Sequence, residues 1–587
     1  MIMRRLGVLI TVAATVGAYI GTAAVSPAAA APLSGQPFSG YATGTQVSTD
    51  ALTIGTTQVA NVQEAFAGAT VNSQGLGTNI DNEMGQVVQP PLPDNNSYAR
   101  GAGAEVGLVT DTTSQVDANQ LNLANRAEQA APPNQPNPDV KTVGPIEIPT
   151  VLFASLLQGT AQAKYDPSFC PIGQPISYGK GEAANVQVLP TGTGGAGGGL
   201  VNTGVGSADT NTANTRSFEY FAPNGDGTFG LVSETHQHLV PISVGAPVAG
   251  INPLTIQVDG DFVMRLTASG KPGRPAFKFM DAPGPAASIE FSDPLVTVTG
   301  PLGVALVGPL KLSQLLNLAP ISLPGILTVT VDGAPRAIGQ LPTVPAAIAG
   351  DGTSVAAAYD LLRVGLLNLP GLNGLNLRVG HMEGAVTVPP GGVTCDIPVS
   401  KTGAPDPAQA GQDVTLTISI PDDPAHFADL FACDLVNISA TDTSSVIDGN
   451  PRFELTGASN GGVIDGDTVS WPSLGNYTRG SPSIKLTITV HIIGGTGTLQ
   501  DIANVSATLG NCTGGIAGQD IAGSGLFDGG AVLGSVTFGG PRVGLGNLAA
   551  TGEDGKYLLL GGVLLFGAVA VMGVRRRLRT ESSSEPS

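Results

Sequence analysis

The feature that most constrains how this chain can fold is an alternation with a period of two. Ile484, Leu486, Ile488, Val490 and Ile492 are separated by Lys485, Thr487, Thr489 and His491. Such a run can bury its apolar side only as a strand, because successive strand side chains point to opposite faces. The pattern recurs in Val414, Leu416, Ile418 and Ile420, and in the runs 295–299, 326–331 and 385–388. Long helices are disfavoured on separate grounds: 587 residues carry 82 Gly and 45 Pro, which break helices and supply turns. The expectation is an all-β chain, with 42% hydrophobic residues to fill large cores.

Turn and proline signals divide it. Residues 31–142 form a Thr- and Gly-rich β region, in which Leu121 to Ala131 reads as a short helix ending at the Pro-rich run 132–138, a linker or surface crossover. Residues 143–395 form the main β domain of a large Gly/Thr-rich ectodomain, and its Gly-rich run 191–206 reads as a flexible loop, since no Lys-Ser/Thr follows as in a phosphate loop. Residues 396–514 hold several short strands about Trp471, the only Trp, and suggest an immunoglobulin-like β-sandwich with that ring in its core. Residues 515–547 read as a Gly-rich wall spacer.

The two ends read as export signals. Arg4 and Arg5, the apolar segment from Leu6 and the small residues Ala28 to Ala31 make residues 1–30 a secretory signal peptide with its signal helix. At the other end, residues 548–587 contain Leu548, Ala549, Ala550, Thr551 and Gly552, then an apolar run 557–574, a transmembrane helix by length, then a basic tail 575–587 opening on Arg575, Arg576 and Arg577. The pentapeptide resembles the sortase substrate motif Leu-Pro-x-Thr-Gly in the Leu-Ala-x-Thr-Gly variant of high-GC Gram-positive bacteria, with Ala549 in place of Pro. The resemblance implies sortase and peptidoglycan as partners and a covalently anchored wall protein that passes through a membrane-spanning precursor. An ordinary single-pass membrane protein is the alternative.

Two further resemblances bear on the ectodomain. Residues 400–403, 411–418, 436–443 and 504–508 resemble the immunoglobulin-like repeat catalogued as domain of unknown function eleven. Residues 380–389, 391–395 and 170–174 resemble actinobacterial surface proteins of the "choice-of-anchor" families. Neither resemblance implies an activity. A formal net charge of −19 argues against nucleic acid as a partner.

The four Cys of an exported chain are expected in disulfides, and pairing Cys433 with Cys512 and Cys170 with Cys395 keeps each bond inside one segment. Glu234, His236 and His238 share one strand face that could bind zinc, but no third His or Cys lies nearby and a hydrated face is preferred. Asn224 to Gly227 begins like a calcium loop yet has Thr235 where a Glu is needed. Gly457 to Gly461 matches Gly-x-Ser-x-Gly without the strand-to-helix turn, so Ser459 reads as a chance match. No catalytic residue, metal or cofactor is expected.

Lys401, Asp442 and Asn504 raise one covalent option, an intramolecular isopeptide bond of the kind found in the Cna-type surface domains that the third segment resembles. Lys401 continues the face of Ile397 and Val399, and Asp442 that of Val436, Ile438 and Ala440. Asn504 opposes the apolar face of Ala503, Val505, Ala507 and Leu509, so a surface Lys-Asp pair beside an ordinary Asn is the competing reading. In sum, a structural or adhesive surface protein without enzymatic activity is expected. The alternative is a wall-displayed carbohydrate-binding protein or polysaccharide hydrolase, and either class leaves room for an extracellular glycan or protein ligand.

Overall fold

The computed structural model describes residues 33–543 except 55–56, 109–122, 150, 168–169, 191, 196–197, 205–211, 225–227, 246–253, 273–277, 281–288, 301–302, 317–319, 324–326, 332–349, 367–374, 396 and 513–530. Nearly every regular element is a strand. In chain order the principal ones of the larger body are β1 (Ser39–Ile54), β2 (Thr57–Asn72), β3 (Ser97–Leu108), β4 (Arg126–Ala131), β5 (Asp139–Val143), β6 (Leu156–Ala163), β7 (Ser177–Ala184), β8 (Thr212–Pro223), β9 (Thr228–His238), β10 (Phe262–Ala268), β11 (Ser354–Leu366) and β12 (Leu375–Thr387).

Strands β11, β12, β1, β2, β3 and β4 lie side by side in one antiparallel sheet, and β10, β9, β8, β7, β6 and β5 in a second. Because β1 is hydrogen-bonded along its length to both β2 and β12, residues from the two ends of this body share one ladder. The expected division between 142 and 143 is therefore not a division of the fold. The Pro-rich run 132–138 is a crossover from the first sheet to the second. Leu121 to Ala131 differs from its helical reading too: Arg126–Ala131 is an edge strand, whose register against β3 buries Ala127 and Ala131 and brings Arg126 to Glu105. Tertiary pairing overrides a weak local preference here.

The sheets meet on a face of very small residues. A Cβ built on Gly101 of β3 would lie 2.0 Å from the Lys180 carbonyl oxygen, and one on Gly181 of β7 2.3 Å from that of Ala102. Gly103, Gly159 and Gly179 are equally tight, so backbone faces backbone, closer than the ~10 Å usual between stacked sheets. Hydroxyls bridge the gap: Ser233 donates to the Tyr41 carbonyl at 2.8 Å and Ser217 to that of Ala67 at 3.3 Å.

Both sheets bend. Across the first, the ladder skips Gln46, Ala65, Gly103, Leu361 and Gly380, so that Thr45 pairs with Phe66 and His381 while Val47 pairs with Glu64 and Val379. Ala65 and Gly380 take φ of 52° and 67° there, the local distortion of a bulge. The second sheet's strands turn at Ser155, Asn185 and Gly260 and run on as the shorter strands Leu152–Ala154, Val186–Pro190 and Leu254–Asp259 of a third sheet.

The described residues among 397–543 form a separate sandwich. One sheet holds β13 (Ser400–Ala404), β14 (Asp413–Ile420), β18 (Ile484–Gly494) and β16 (Arg452–Ala458); the other holds β17 (Thr468–Tyr477), β15 (Asp434–Gly449), β19 (Gly497–Gly510) and β20 (Ala531–Val543). Val414, Leu416, Ile418, Leu486, Ile488, Val490 and Trp471 are buried between them. Strand β20 falls in the expected spacer and pairs along β19, which moves the end of the sandwich beyond residue 514.

The helix α1 (Pro424–Leu430), capped by Asp423, seats this sandwich on the larger body. Ile172 N–H donates to the Leu430 carbonyl at 3.0 Å, Ala432 N–H to that of Ile172 at 2.8 Å, and the Lys164 ammonium meets Asp429 at 2.8 Å. Cys170 is bonded to Cys395 and Cys433 to Cys512, across 225 and 79 residues.

Replacing Gly101 by Ala is expected to force the sheets apart and cost about 3 kcal/mol or more, above ordinary overpacking because the obstacle is backbone. Gly308→Ala, with nothing within 4 Å of the new Cβ, should stay within about 0.5 kcal/mol. Denaturant melts of both variants check the difference.

Candidate functional site

Three clusters of titratable side chains are built into this frame. The first lies beneath residues 73–95, which fold over the outer face of the first sheet. Asn82 shapes their turn, accepting from Met84 N–H at 3.0 Å and Gln86 N–H at 2.9 Å. Gln86 reaches inward, accepting from the Thr45 hydroxyl at 2.9 Å and donating to Glu105 at 3.1 Å. Arg100, only 2% exposed, donates to the Val87 carbonyl and to Glu105 and sits 5.1 Å from the centre of the Phe66 ring. Glu383 accepts from the Tyr41 hydroxyl and the Glu83 N–H, both at 2.8 Å. His381 Nδ1 is 2.6 Å from Asp360. Burial alone would depress the His381 pKa, but the hydrogen bond to Asp360 and the Glu383 carboxylate 3.6 Å from Nε2 outweigh it and raise it to about 9, which favours the imidazolium at neutral pH. Beside Tyr41, Ile80 and Gln89 a cavity of about 220 Å³ opens under the same segment. These contacts pin the segment to the sheet by charge-assisted bonds.

Past the bend, Glu64 is 2% exposed; one carboxyl oxygen accepts from the Thr203 hydroxyl at 2.7 Å and the other has no hydrogen-bond partner among the described residues. Burial pushes its pKa up to about 7 against the opposing pull of Thr203.

The second cluster is the expected hydrated face of Glu234, His236 and His238. It is not hydrated at Glu234, which is wholly buried and accepts from Arg265 Nε and the Tyr220 hydroxyl, each at 2.6 Å. Burial would raise this carboxyl, but Arg265 and His236 hold it well below the usual range. His238, half-exposed, pairs with Asp261 at 3.0 Å. Strand periodicity predicts the shared face; the Arg265 partner stands directly opposite Glu234 on the neighbouring strand β10 and follows only from the register. Among the described residues no group of three or more His, Cys, Asp or Glu is arranged to hold a metal ion.

The third cluster spans the two sheets of the C-terminal sandwich. Lys401, 1% exposed, crosses from β13 to Asp442 of β15 and to Asp501 of β19, whose Oδ1 is 2.6 Å from Nζ. The Ser444 hydroxyl donates to the other Asp501 oxygen at 3.0 Å. Burial, the neighbouring Asp501 carboxyl and the opposing pull of Lys401 leave the Asp442 pKa raised to about 8. The residue at the amine is thus Asp501 and not Asn504. Asp501, Ala503 and Val505 form the buried face of β19, and Asn504 stands on the other, its carboxamide oxygen without a hydrogen-bond partner. That alternation is the signal that finds Asp501.

The remaining candidates have local roles. Ser459 Oγ accepts from Thr487 N–H at 2.7 Å and the Ser459 carbonyl accepts from Trp471 Nε1 at 2.7 Å, which ties this half-buried residue to β18 and to the Trp471 ring. His491 pairs with Asp413 and His426 with Asp166. Residues 225–227 of the calcium-like turn, the segment Leu548 to Gly552, the apolar run 557–574 and the signal peptide lie outside the described residues. Among the described residues no helix is long and apolar enough to cross a membrane.

No family model matches this chain, and no curated protein matches it. Among solved structures, the N-terminal domain of a Streptococcus gordonii adhesin aligns at 10% identity over 77% of this chain and 88% of its own, with a TM-score of 0.14, too low to bear on fold or function.

Glu64 gives stability a defined pH dependence. A carboxyl with an ordinary pKa of 4.5 when unfolded and about 7 when folded stabilises the protein fully below 4.5, and the contribution fades as pH rises to about 7. The loss is on the order of 3 kcal/mol. The variant Glu64→Gln, neutral at every pH, should lose less stability than the parent between pH 4.5 and 7 in paired thermal melts.

Proposed function

We propose that this protein is exported and displayed on the surface of a high-GC Gram-positive bacterium, joined covalently to the cell wall, with a structural or adhesive role. The observation that carries the reading is the order of three signals in one stretch: Leu548 to Gly552, then the apolar run 557–574, then Arg575 to Arg577. An apolar segment followed by clustered Arg arrests transfer with the basic end inside, leaving the motif outside where a sortase acts. Two disulfides agree with an oxidising exterior. The many-stranded β architecture, with its buried ion pairs, suits a rigid display element.

In this reading the sortase cysteine attacks the Thr551 carbonyl, Gly552 leaves as the amine of the released tail, and the resulting thioester passes Thr551 to a peptidoglycan amine. The export signal is residues 1–30. The larger body is a relative of the choice-of-anchor proteins, and the C-terminal sandwich of the repeat catalogued as domain of unknown function eleven.

The variant Thr551→Ala should move the protein from the wall fraction to the membrane fraction, read by immunoblot after wall digestion. An unchanged distribution would leave a single-pass membrane protein in its place.

A further inference from the structure

We propose that the end of the C-terminal sandwich farthest from α1 is a docking surface for the sortase that cuts this chain, a second contact beside the pentapeptide itself. The inference rests on the wall-anchoring reading above and adds to it the place where the body of the enzyme sits.

Strand β15 runs from Asp434, just past α1, to Gly449 at the opposite end of the sandwich. Gly449 pairs there with Gly497 of β19, and Gly497 with Val543 of β20, so the last described residue lies at this end. Two loops meet across it, where Asn450 N–H donates to the Thr496 carbonyl at 2.8 Å. Three large aliphatic side chains flank these loops. Val446 is 46% exposed, Ile447 57% and Ile493 46%. Val446 continues the inward row of Asp442 and Ser444, which are buried, yet it stands open to water. Single apolar residues are ordinary on a surface, but three around the end where the chain departs offer a partner something to cover.

Chain length says which partner. Leu548 is five residues past Val543, a span of at most about 18 Å, and Gly552 is nine residues past it, at most about 32 Å. A domain of only ~100 residues already has a radius of gyration of about 13 Å. An enzyme closed on residues 548–552 therefore has its flank within reach of these loops. A weak contact suffices, because capture of the pentapeptide makes the second contact intramolecular and raises its effective concentration.

Two other occupants fit less well. Three side chains are too few for a free-standing dimer, which buries about 800 Å² on each partner. A bilayer surface is farther away, since the apolar run begins fourteen residues past Val543. A chain of net charge −19, with Asp448 exposed among these side chains, is also repelled by anionic lipid.

The test uses the full chain in its own cell. With Ile447 replaced by photoreactive benzoylphenylalanine, illumination during export should join the chain to sortase, identified by mass spectrometry of the adduct. An adduct with lipid or with a second copy, or no adduct, would overturn the proposal. This chain is altered at one exposed position, so the result does not depend on a heavily substituted variant folding. In pulse-chase fractionation, the combined variant Val446→Ser, Ile447→Ser, Ile493→Ser should pass from membrane to wall on the order of tenfold more slowly, the loss expected for three half-exposed aliphatic side chains. Ile447→Leu should keep the parent rate. Passage of the combined variant at the parent rate would remove the docking surface and leave the anchoring reading standing, whereas a parent chain that never reaches the wall overturns both.

Discussion

The structure of the larger body depends on a contact that has almost no side chain in it. Gly101, Gly103, Gly159, Gly179 and Gly181 let two antiparallel sheets approach until carbonyl oxygens of one occupy the space where the other would carry Cβ atoms. Apolar burial at such a face is small per residue, so cohesion comes from many close backbone contacts and from Ser hydroxyls that satisfy carbonyls of the opposite sheet. The bulky side chains of Tyr41, Phe66 and Arg100 lie instead on the outer face of the first sheet.

That displacement explains why the first sheet needs covering on its outer face as well. With the inner face so thin, Tyr41, Phe66, Arg100 and His381 project outward, and residues 73–95 close over them. The bend is the other consequence. On one side of the skipped line Gly44 faces Thr235 and Thr215 of the second sheet; on the other Glu64 reaches Thr203 of the third. A single ladder thus serves two partners by kinking once.

How much of this was legible varies with the length scale of the signal. The strands of the C-terminal sandwich are plain in the alternation of Val414 to Ile420 and Ile484 to Ile492, and burial of Lys401 and Asp442 follows from the faces they continue. Gly is the residue whose role is hardest to read locally. As a turn former it argues for loops, yet Gly159, Gly179 and Gly181 sit inside strands because of what lies opposite, which no local pattern records. The same holds for β4, whose Ala- and Leu-rich approach suggests a helix until β3 offers it an edge. The charged partners Arg265 of Glu234 and Asp360 of His381 stand directly opposite them on neighbouring strands of the same sheet, so only the strand register assembles them.

The bond between Cys170 and Cys395 would acquire a mechanical meaning in the anchored chain proposed above, held at its C-terminal end. Tension entering the larger body along the chain from the sandwich would first meet a covalent tether at Cys395. There it divides between the short strand Val393–Thr394, which could peel from β9, and a covalent tether to a loop 225 residues earlier in the chain. Two anchorages far apart in sequence would have to yield together, so the junction resists pulling as a rivet does, and reduction would turn it into a seam that opens from one end.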